Sequence, residues 1–265
     1  MASLTAHCLV KNEENFIRFS IGSVINYVDK VLVFDTGSSD KTIEIINELV
    51  LKHPHKIIFE EKGECDKIRH TALRQEMVDC TTTDWFMVLD GDEVWTDRGM
   101  TEVLSIIKGN KPEIECLIAP FYLCVGDVYH YSSRGLFEIM GRLGHLTPRL
   151  FKKIRGANWR GVYEQDSIYD QSGNLFFNKK NTFFLKNKFW HLTHLQRSSF
   201  SNDYSSGGTR QKKFLATYFI LGKKIKEILP EVFAKDQDKF KMSLAKSFFN
   251  FWPLAVKKII NKFKI

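Results

Sequence analysis

The chain has 265 residues, of which 43% are hydrophobic and 26% charged, and its formal net charge is +8. This composition is that of an ordinary globular protein and excludes a disordered, collagen-like or coiled-coil chain. The charge is uneven, because residues 210–265 hold 14 lysines and arginines and four acids, a balance of +10 that leaves −2 for residues 1–209. We therefore expect a near-neutral body, a basic tail and no nucleic-acid partner.

The first residues and the cysteines predict a cytoplasmic protein. Lys11, Glu13 and Glu14 interrupt the apolar stretch at the start, so a secretory signal is not expected. No apolar run approaches the roughly 18 residues that a membrane-spanning helix needs. The cysteines lack the paired spacing of a zinc site or redox motif, which predicts reduced thiols. They are Cys8, Cys65, Cys80, Cys116 and Cys124.

The first hundred residues alternate between strand-like and helix-like patterns, which predicts an α/β fold with a mostly parallel sheet flanked by helices. Short apolar runs, each suited to a strand buried on both faces, predict strands at residues 4–10, 31–34, 57–59 and 85–89. Apolar residues at helical spacing predict helices at residues 15–27, 40–51 and 66–78.

Two details of these helices are open to test. Asp40 stands where it either caps the second helix or reaches a ligand. In the third helix, Ile68, Leu73 and Met77 are expected to form the inner face.

The second half of the chain is less regular. Aromatic segments at residues 117–125 and 182–190 resemble strands, and the Ser- and Gly-rich residues 198–209 predict a mobile loop. Apolar residues from Phe214 to Ile228 recur at helical spacing and stop at Pro230, which predicts a helix.

These patterns predict two parts of the chain. Residues 1–209 are expected to form the catalytic domain, with a nucleotide-binding half at 1–100 and an acceptor-side half at 101–209. Residues 210–265 are expected to form a basic amphipathic helical extension.

The acidic motif Asp90-Gly91-Asp92-Glu93 directly follows the last apolar run of the first half. Strand-to-helix loops favour Asp and Gly as turn residues, but three acids in four positions would repel one another at the mouth of a buried strand. A divalent cation removes that repulsion, and Asp90 and Asp92 point the same way in an extended segment. Oxygen ligands favour Mn²⁺ or Mg²⁺. A metal site is therefore expected here.

Three motifs, each after a predicted strand, together resemble the family 2 glycosyltransferases of GT-A fold. They are Lys11-Asn12-Glu13-Glu14, the segment from Asp35 to Thr42 and Asp90-Gly91-Asp92-Glu93. The resemblance covers roughly the first hundred residues. It implies a Rossmann-like GT-A domain that uses a nucleotide-diphospho-sugar, with a UDP-sugar favoured, and Mn²⁺ or Mg²⁺. It also implies transfer with inversion at the sugar.

The resemblance further implies roles for single residues. The loop of Lys11, Asn12 and Glu13 and the acid Asp35 would hold the base and ribose of the donor. The segment from Asp66 to Arg69 would contact the nucleotide or diphosphate. Asp90 would lie by the ribose, and Asp92 would bind the metal.

An inverting transfer needs a carboxylate that takes the acceptor proton, and we favour Glu164. It follows Trp159 and Tyr163, either of which is suited to stack on a sugar, and Gly161. This stretch also resembles one subgroup of the family that ends in His-Glu, with Tyr163 in place of the histidine. Other acids stay open as the base: Glu115, Asp127, Glu138, Asp166 and Asp170.

A histidine is expected to complete the metal site, because neutral imidazole is a suitable Mn²⁺ ligand among carboxylates. In an extended segment His191 and His194 face opposite ways, so one of them points at the metal. We favour His194 because it adjoins the Ser-rich loop, with His191 as the alternative. Arg197 and Arg210 flank that loop and suit a diphosphate.

The tail from Lys239 to Ile265 contains seven lysines, no acid and a stripe of apolar residues at spacings of three and four. A helix packed on the core explains the stripe alone, whereas attachment to an anionic surface explains both the stripe and the lysines. We therefore expect peripheral contact with the inner face of the membrane.

Taken together, the sequence predicts a metal-dependent inverting glycosyltransferase that acts on a glycan or glycolipid acceptor in cell-envelope or lipopolysaccharide-type biosynthesis. A nucleotidyltransferase acting on sugar phosphates would share the acid-rich site, although Lys11-Asn12-Glu13-Glu14 is not its usual phosphate loop. A non-catalytic sugar-nucleotide or lipid-binding module is the third alternative.

Overall fold

A computed structural model of the chain describes residues 2–109, 111–199, 222–234 and 236. The helices are α1 (Ile17–Val24), α2 (Thr42–Lys52), α3 (Lys67–Cys80) and α4 (Asp97–Ile107), with a 3-10 helix at Glu231–Phe233. The strands of the first half are β1 (Leu4–Val10), β2 (Lys30–Asp35), β3 (Ile57–Glu61), β4 (Trp85–Val88) and β5 (Glu93–Val94). The later strands are β6 (Cys116–Leu123), β7 (His130–Tyr131), β8 (Phe137–Ile139), β9 (Arg142–Gly144), β10 (Leu146–Lys152), β11 (Asn158–Arg160), β12 (Ser167–Tyr169), β13 (Thr182–Phe184), β14 (Phe189–His191) and β15 (Lys223–Lys224).

Within the described residues, nine strands form one sheet, and the predicted mostly parallel α/β fold is confirmed. Its order is β3-β2-β1-β4-β10-β6-β14-β5, with β13 beside β6. The first four of these strands are parallel neighbours, whereas β10 runs antiparallel to both β4 and β6. The strands β1, β2, β4 and β6 therefore all point their carboxyl ends toward the same edge of the sheet.

Helices cover both faces of the sheet, because alternate residues of each strand face opposite layers. One face of β1, β2 and β4 packs against α1, α2 and α4 in the largest hydrophobic cluster. On the other face, Leu32 and Phe34 of β2 pack against Leu73 and Met77 of α3. Phe86 and Val88 of β4 extend that second layer into a cluster with β6 and β10, and with residues of β12 and the turns beside it.

Two packing expectations are wrong. Ile68 is 69% exposed and does not share the inner face of α3 with Leu73, since five residues place the two side chains about 140° apart around the helix. Ile58 of β3 is 47% exposed, because β3 is the edge strand and lacks the burial on both faces that its apolar run suggested.

The helix expected up to Ile228 is wrong over its described part. Lys223–Lys224 is a strand paired with His130–Tyr131, Ile225 is buried and Ile228 is exposed. Pairing with β7 supplies backbone hydrogen bonds that compete with the helical pattern. The rest of the predicted tail, the 198–209 loop beyond residue 199, and Arg210 lie outside the described residues. Among the described helices, none is long and apolar enough to cross a membrane.

His7 on β1 makes the stability of the fold pH-dependent. It is 3% exposed, it stacks on Phe86 at 4.9 Å between ring centroids, and its Nε2 lies 2.5 Å from Thr81 Oγ1. Burial, reinforced by the nearby Arg74 and Lys153, lowers the pKa of His7 to about 3. The unfolded chain takes up this proton below pH 6.5 and the folded chain does not, so stability falls as the pH drops below 6.5.

We expect the free energy of unfolding to fall by about 2 kcal/mol more in the wild type than in His7→Phe between pH 6.5 and pH 5. Phenylalanine keeps the ring stack and cannot take up a proton. Urea unfolding of both proteins at the two pH values measures the difference. Equal losses in the two proteins would show that His7 does not carry this pH dependence.

Candidate active site

The acidic motif lies at the shared carboxyl edge of the sheet, directly after β4. The backbone N–H of Glu93 donates to the Asp90 carbonyl at 3.1 Å, and the Ser20 hydroxyl of α1 donates to the same carbonyl at 2.9 Å. These bonds turn the chain sharply after the strand, so that Asp90, Asp92 and Glu93 crowd one place. Asp92 and Glu93 are buried, with 7% and 0% exposure.

Arg149 of β10 neutralises part of this charge. Its Nη2 donates to Asp90 Oδ2 at 2.8 Å and to Glu93 Oε1, because β10 pairs directly with β4. Arg74 of α3 adds a second contact, 3.5 Å from Asp90 Oδ1. Burial alone would raise the pKa of Asp90, but Arg149 and Arg74 hold it well below its usual range. Burial outweighs Arg149 at Glu93 and raises its pKa to about 7.

His191 of β14 faces the same cluster. Its Nε2 lies 3.5 Å from Asp92 Oδ1, and it pairs across the sheet with Glu93. Burial alone would lower the pKa of His191. The neighbouring Asp92 carboxylate raises it by a larger amount, so the pKa lies above its usual value. Ligand atoms of Asp90, Glu93 and His191 lie within 4.8 Å of one another. These residues could hold a metal ion.

The donor set fits Mn²⁺ or Mg²⁺. It offers carboxylate oxygens and one imidazole, the ligand types that suit Mn²⁺, while Mg²⁺ would use the carboxylates. Glu93 Oε2 and His191 Nδ1 are buried and lack a hydrogen-bond partner among the described residues. Of the predicted ligands, Asp90 belongs to this group, whereas Asp92 contacts it through His191 and its metal role stays a prediction. His194 does not belong to the group, and the geometry favours the alternative, His191, because β14 ends at residue 191 with its ring on the acidic side.

The loop after β1 is tied to the same edge. Glu13 is 5% exposed and accepts from Arg197 Nη1 at 2.8 Å, and the Arg197 carbonyl accepts from the backbone N–H of Asn15 at 3.0 Å. A Cβ at Gly91 would lie 2.8 Å from Glu13 Cγ. Only glycine lets the acidic motif approach Glu13 this closely. Two predicted donor residues, Glu13 and Arg197, are therefore partners beside the metal candidate.

Other predicted donor residues shape their own loops. The Asp35 carboxylate is 1% exposed and accepts from the backbone N–H groups of Gly37 at 2.9 Å and Ser38 at 2.8 Å. Asn12, at a φ of 55°, accepts from the Ser39 backbone N–H at 2.8 Å. These bonds fix the two loops against each other. The base and ribose contacts of Asn12 and Asp35 stay predictions.

Three further donor predictions fall on the rim of the site. Asp66 caps α3, where it accepts from the backbone N–H groups of Ile68 and Arg69. Arg69 donates to the carbonyls of Lys62 and Glu64, and Lys11 forms an ion pair with Glu64. Asp40 lies one residue before Lys41, the N-cap of α2, and accepts from the Thr42 backbone N–H at 2.9 Å, so it binds the start of the helix without being its N-cap. Each polar group has a structural partner, and the donor roles of Lys11, Asp66 and Arg69 stay predictions.

The turn that carries Glu164 lies against α3. Glu164, half exposed and at a φ of 75°, lies 3.3 Å from Lys67 Nζ. The Tyr163 ring contacts His70 at 4.0 Å between centroids. Because α3 begins at the carboxyl edge of the sheet, this turn lies beside the candidate site. The proton-accepting role of Glu164 and sugar stacking by Tyr163 stay predictions.

Arg74 connects this turn to the acidic motif. Its Nε lies 3.6 Å from Asp166 Oδ2, and its guanidinium lies over the Trp159 ring at 5.3 Å. Arg74 also contacts Asp90, so its side chain links Asp166 and Trp159 to the acidic motif. One face of Trp159 is therefore already covered, and its stacking on a sugar stays a prediction.

Sequence reasoning missed two cations and an acid of this site. Arg149 gave a signal, because a charged residue inside the apolar strand Leu146–Lys152 indicates a buried ion pair. Glu93 belongs to the acidic motif, but the motif alone indicated no separate role for it. Arg74 gave no signal, since α3 carries polar residues on both faces.

The sequence profile of Glycosyl transferase family 2 matches residues 8–196 of the chain. This span contains the acidic motif, Arg149 and His191. The chain belongs to glycosyltransferase family 2. The membership favours glycosyl transfer over the nucleotidyl-transfer alternative.

Two curated proteins are similar in sequence to parts of the chain. A TPR repeat-containing protein of Synechococcus elongatus is 30% identical over 105 residues, which are 40% of this chain and 24% of that protein. The SPbeta prophage-derived glycosyltransferase SunS of Bacillus subtilis is 21% identical over 142 residues, 53% of this chain and 32% of SunS. The chain thus spans about a quarter to a third of the length of these curated relatives.

The fold also resembles a solved structure. The crystal structure of residues 1–349 of S. aureus TarS superposes with a TM-score of 0.51 at 10% sequence identity. The match covers 93% of this chain and 77% of the TarS chain. It supports the GT-A-like architecture that the strand order indicates.

Proposed function

We propose that this protein is a metal-dependent inverting glycosyltransferase. It transfers a sugar from a nucleotide-diphospho-sugar, with a UDP-sugar favoured, to a glycan or glycolipid acceptor of the cell envelope. The observation that carries the proposal is the cluster of Asp90, Asp92, Glu93 and His191 at the carboxyl edge of a family 2 domain. Ligands of open α/β sheets bind at this edge.

Each group of the site has a separate task in this proposal. Asp90, Asp92 and His191 would hold Mn²⁺ or Mg²⁺, which when bound supplies positive charge for the leaving diphosphate. Arg149 keeps Asp90 ionised and holds both Asp90 and Glu93 in place. Arg197, paired with Glu13 beside the motif, faces the donor phosphates.

The transfer itself needs a base on the acceptor side. Glu164 takes the proton of the acceptor hydroxyl while the hydroxyl oxygen attacks the anomeric carbon and the diphosphate leaves. Its half-exposed carboxylate, held on a turn beside α3, is reachable by an acceptor from solvent. The strained positive φ of Glu164 also fits a functional position.

Hydrolysis of the donor tests the enzyme proposal directly. The wild type is incubated with a panel of nucleotide-diphospho-sugars and Mn²⁺, and release of nucleoside diphosphate is measured with and without a chelator. We expect release from at least one UDP-sugar and its loss on chelation. A thermal shift with the same ligands gives an independent readout, because ligand binding to the folded state stabilises it. A protein that binds donors without release is a binding module.

We expect Glu164→Gln to lower the transfer rate at least about 100-fold while donor affinity stays within about twofold, because the base acts on the acceptor proton alone. Asp166→Asn is the matched comparison on the same turn, since Asp166 pairs with Arg74. Transfer to the acceptor and calorimetric UDP binding are measured for both. Normal transfer by Glu164→Gln with loss in Asp166→Asn would assign the base to Asp166.

Membrane contact through residues 210–265 is part of the proposal. It rests on the seven lysines and the apolar stripe of residues 239–265. Co-sedimentation with anionic and neutral liposomes tests it. Equal binding to both would contradict an electrostatic attachment.

A further inference from the structure

A cavity of about 330 Å³ lies beside the candidate active site, between β6, β10 and the β8–β9 hairpin. Its size is at the lower end of the range of small-molecule sites, about 300–1,000 Å³. The roles assigned so far leave it unused. Its wall is mostly apolar and includes Pro120, Phe121, Tyr131, Leu136, Leu143 and Leu146.

Phe121 connects the cavity to the metal candidate. Its ring stands edge-on to the His191 ring, with centroids 5.2 Å apart, and is 5.3 Å from the ring of His145, another lining residue. The Phe121 ring thus lies between a molecule in the cavity and His191 of the metal candidate. This proximity favours an acceptor over an effector that binds far from the site.

Lys188 provides a positive charge in the cavity wall. Its Nζ lies 4.4 Å above the Tyr122 ring and 5.9 Å from the Tyr131 ring. Among the described acids, none forms an ion pair with it. The aromatic rings hold the ammonium group in place and do not neutralise it. Lys188 is therefore suited to bind the anionic group of a ligand.

His145 forms a neutral part of the cavity wall. It is 8% exposed, and its Nε2 donates to the Ser132 carbonyl at 3.0 Å. Since Nε2 carries the proton, Nδ1 is an acceptor, and this atom is buried without a hydrogen-bond partner among the described residues. Burial, with Lys188 nearby, lowers the pKa of His145 and keeps the ring neutral. Because Nδ1 is enclosed by protein atoms, His145 shapes the wall and does not bind the ligand.

The mouth of the cavity is apolar and exposed. Leu136 and Leu143 line the cavity at the β8–β9 hairpin and its flank, and they are 44% and 69% exposed. Exposed apolar residues at the rim of a cavity favour a binding surface. An alkyl chain that leaves the cavity would lie across them.

We propose that this cavity binds the acceptor of the transfer reaction and that the acceptor is an anionic amphiphile with a hydroxyl group, such as a lipid phosphate. Its alkyl part contacts Phe121, Leu136 and Leu143, its anion pairs with Lys188, and its hydroxyl stays free for the base. The inference rests on the proposed function and names its acceptor class. A neutral glycan matches neither the apolar wall nor Lys188.

Calorimetry with three probes tests the assignment: inorganic phosphate, and decyl phosphate and decyl maltoside below their critical micelle concentrations. We expect decyl phosphate to bind the wild type at least about tenfold more tightly than the other two, because it alone uses both the apolar wall and the charge. Lys188→Met should weaken decyl phosphate binding about tenfold. Lys186→Met, an exposed lysine two residues away and outside the cavity, is the matched control and should leave it unchanged.

A second variant keeps the test decisive if Lys188→Met does not fold. Ser133 is an exposed lining residue, so Ser133→Trp fills the cavity from a loop and should abolish decyl phosphate binding. Equal decyl phosphate affinity in wild type and both cavity variants overturns the assignment, as does equal binding of decyl maltoside. A dimer that Ser133→Trp dissociates, without decyl phosphate binding, assigns the cavity to a second copy and also overturns it. Wild-type donor hydrolysis tests the proposed function separately, so either can fail alone.

Discussion

Asp92→Asn is expected to lower metal-dependent release of nucleoside diphosphate from the donor by about 1,000-fold or more. Asp92 is 7% exposed, lies within the turn of the acidic motif and is 3.5 Å from His191 Nε2. Asparagine keeps the shape of the side chain but removes the negative charge that binds a divalent cation. Stabilisation of a leaving diphosphate by a cation contributes several kcal/mol, and about 1.4 kcal/mol corresponds to a tenfold rate.

The measurement compares Asp92→Asn with Asp79→Asn. Asp79 is an exposed acid at the far end of α3 whose carboxylate accepts from Gln75 at 2.7 Å. Release is followed as Mn²⁺ is titrated, and thermal unfolding shows whether each variant is folded. We expect Asp79→Asn to match the wild type. Manganese-dependent release by Asp92→Asn within tenfold of the wild type would remove Asp92 from the metal site.

The position of the site at the carboxyl edge of the sheet could be predicted from the sequence, because this position depends on local patterns. Apolar runs predict buried parallel strands, and parallel strands bring the residues after them to one edge. The segments after β1, β2 and β4 therefore meet without any knowledge of tertiary contacts. The family resemblance rested on the same three segments.

The choice between His191 and His194 depended on a non-local pairing. His191 pairs with Glu93 because β14 aligns beside β5, and no local pattern sets this register. Arg149 enters the site for a similar reason, since β10 inserts antiparallel between β4 and β6. These contacts join residues more than fifty positions apart, which periodicity does not report.

Asp35 shows a different limit of sequence reasoning. An acid in a strand-to-helix loop either binds a ligand or organises the turn, and both uses favour the same residue types. The structure shows its carboxylate bonded to Gly37 and Ser38 in its own loop. Residue identity alone does not distinguish these uses.

Arg149→Met is expected to lower the free energy of unfolding by about 3–5 kcal/mol, because it leaves buried carboxylates without their cation. Arg149 Nη2 contacts both Asp90 and the fully buried Glu93, and methionine keeps much of the apolar stem. Arg18→Met is the matched control. Arg18 pairs with Glu48 at the surface, and such an exposed pair contributes about 1 kcal/mol or less.

The double variant Arg149→Met, Glu93→Gln separates lost charge pairing from lost packing. Removing one partner of a buried pair is costly, whereas removing both charges is close to neutral. We therefore expect the second substitution to restore more than half of the stability that the first one removes, measured by urea unfolding without metal. A double variant as unstable as Arg149→Met alone would mean that packing, and not Glu93, determines the loss. Recovery would show that the pairing of Arg149 with Glu93 determines the loss. The same ion pair would then stabilise both the candidate site and the sheet.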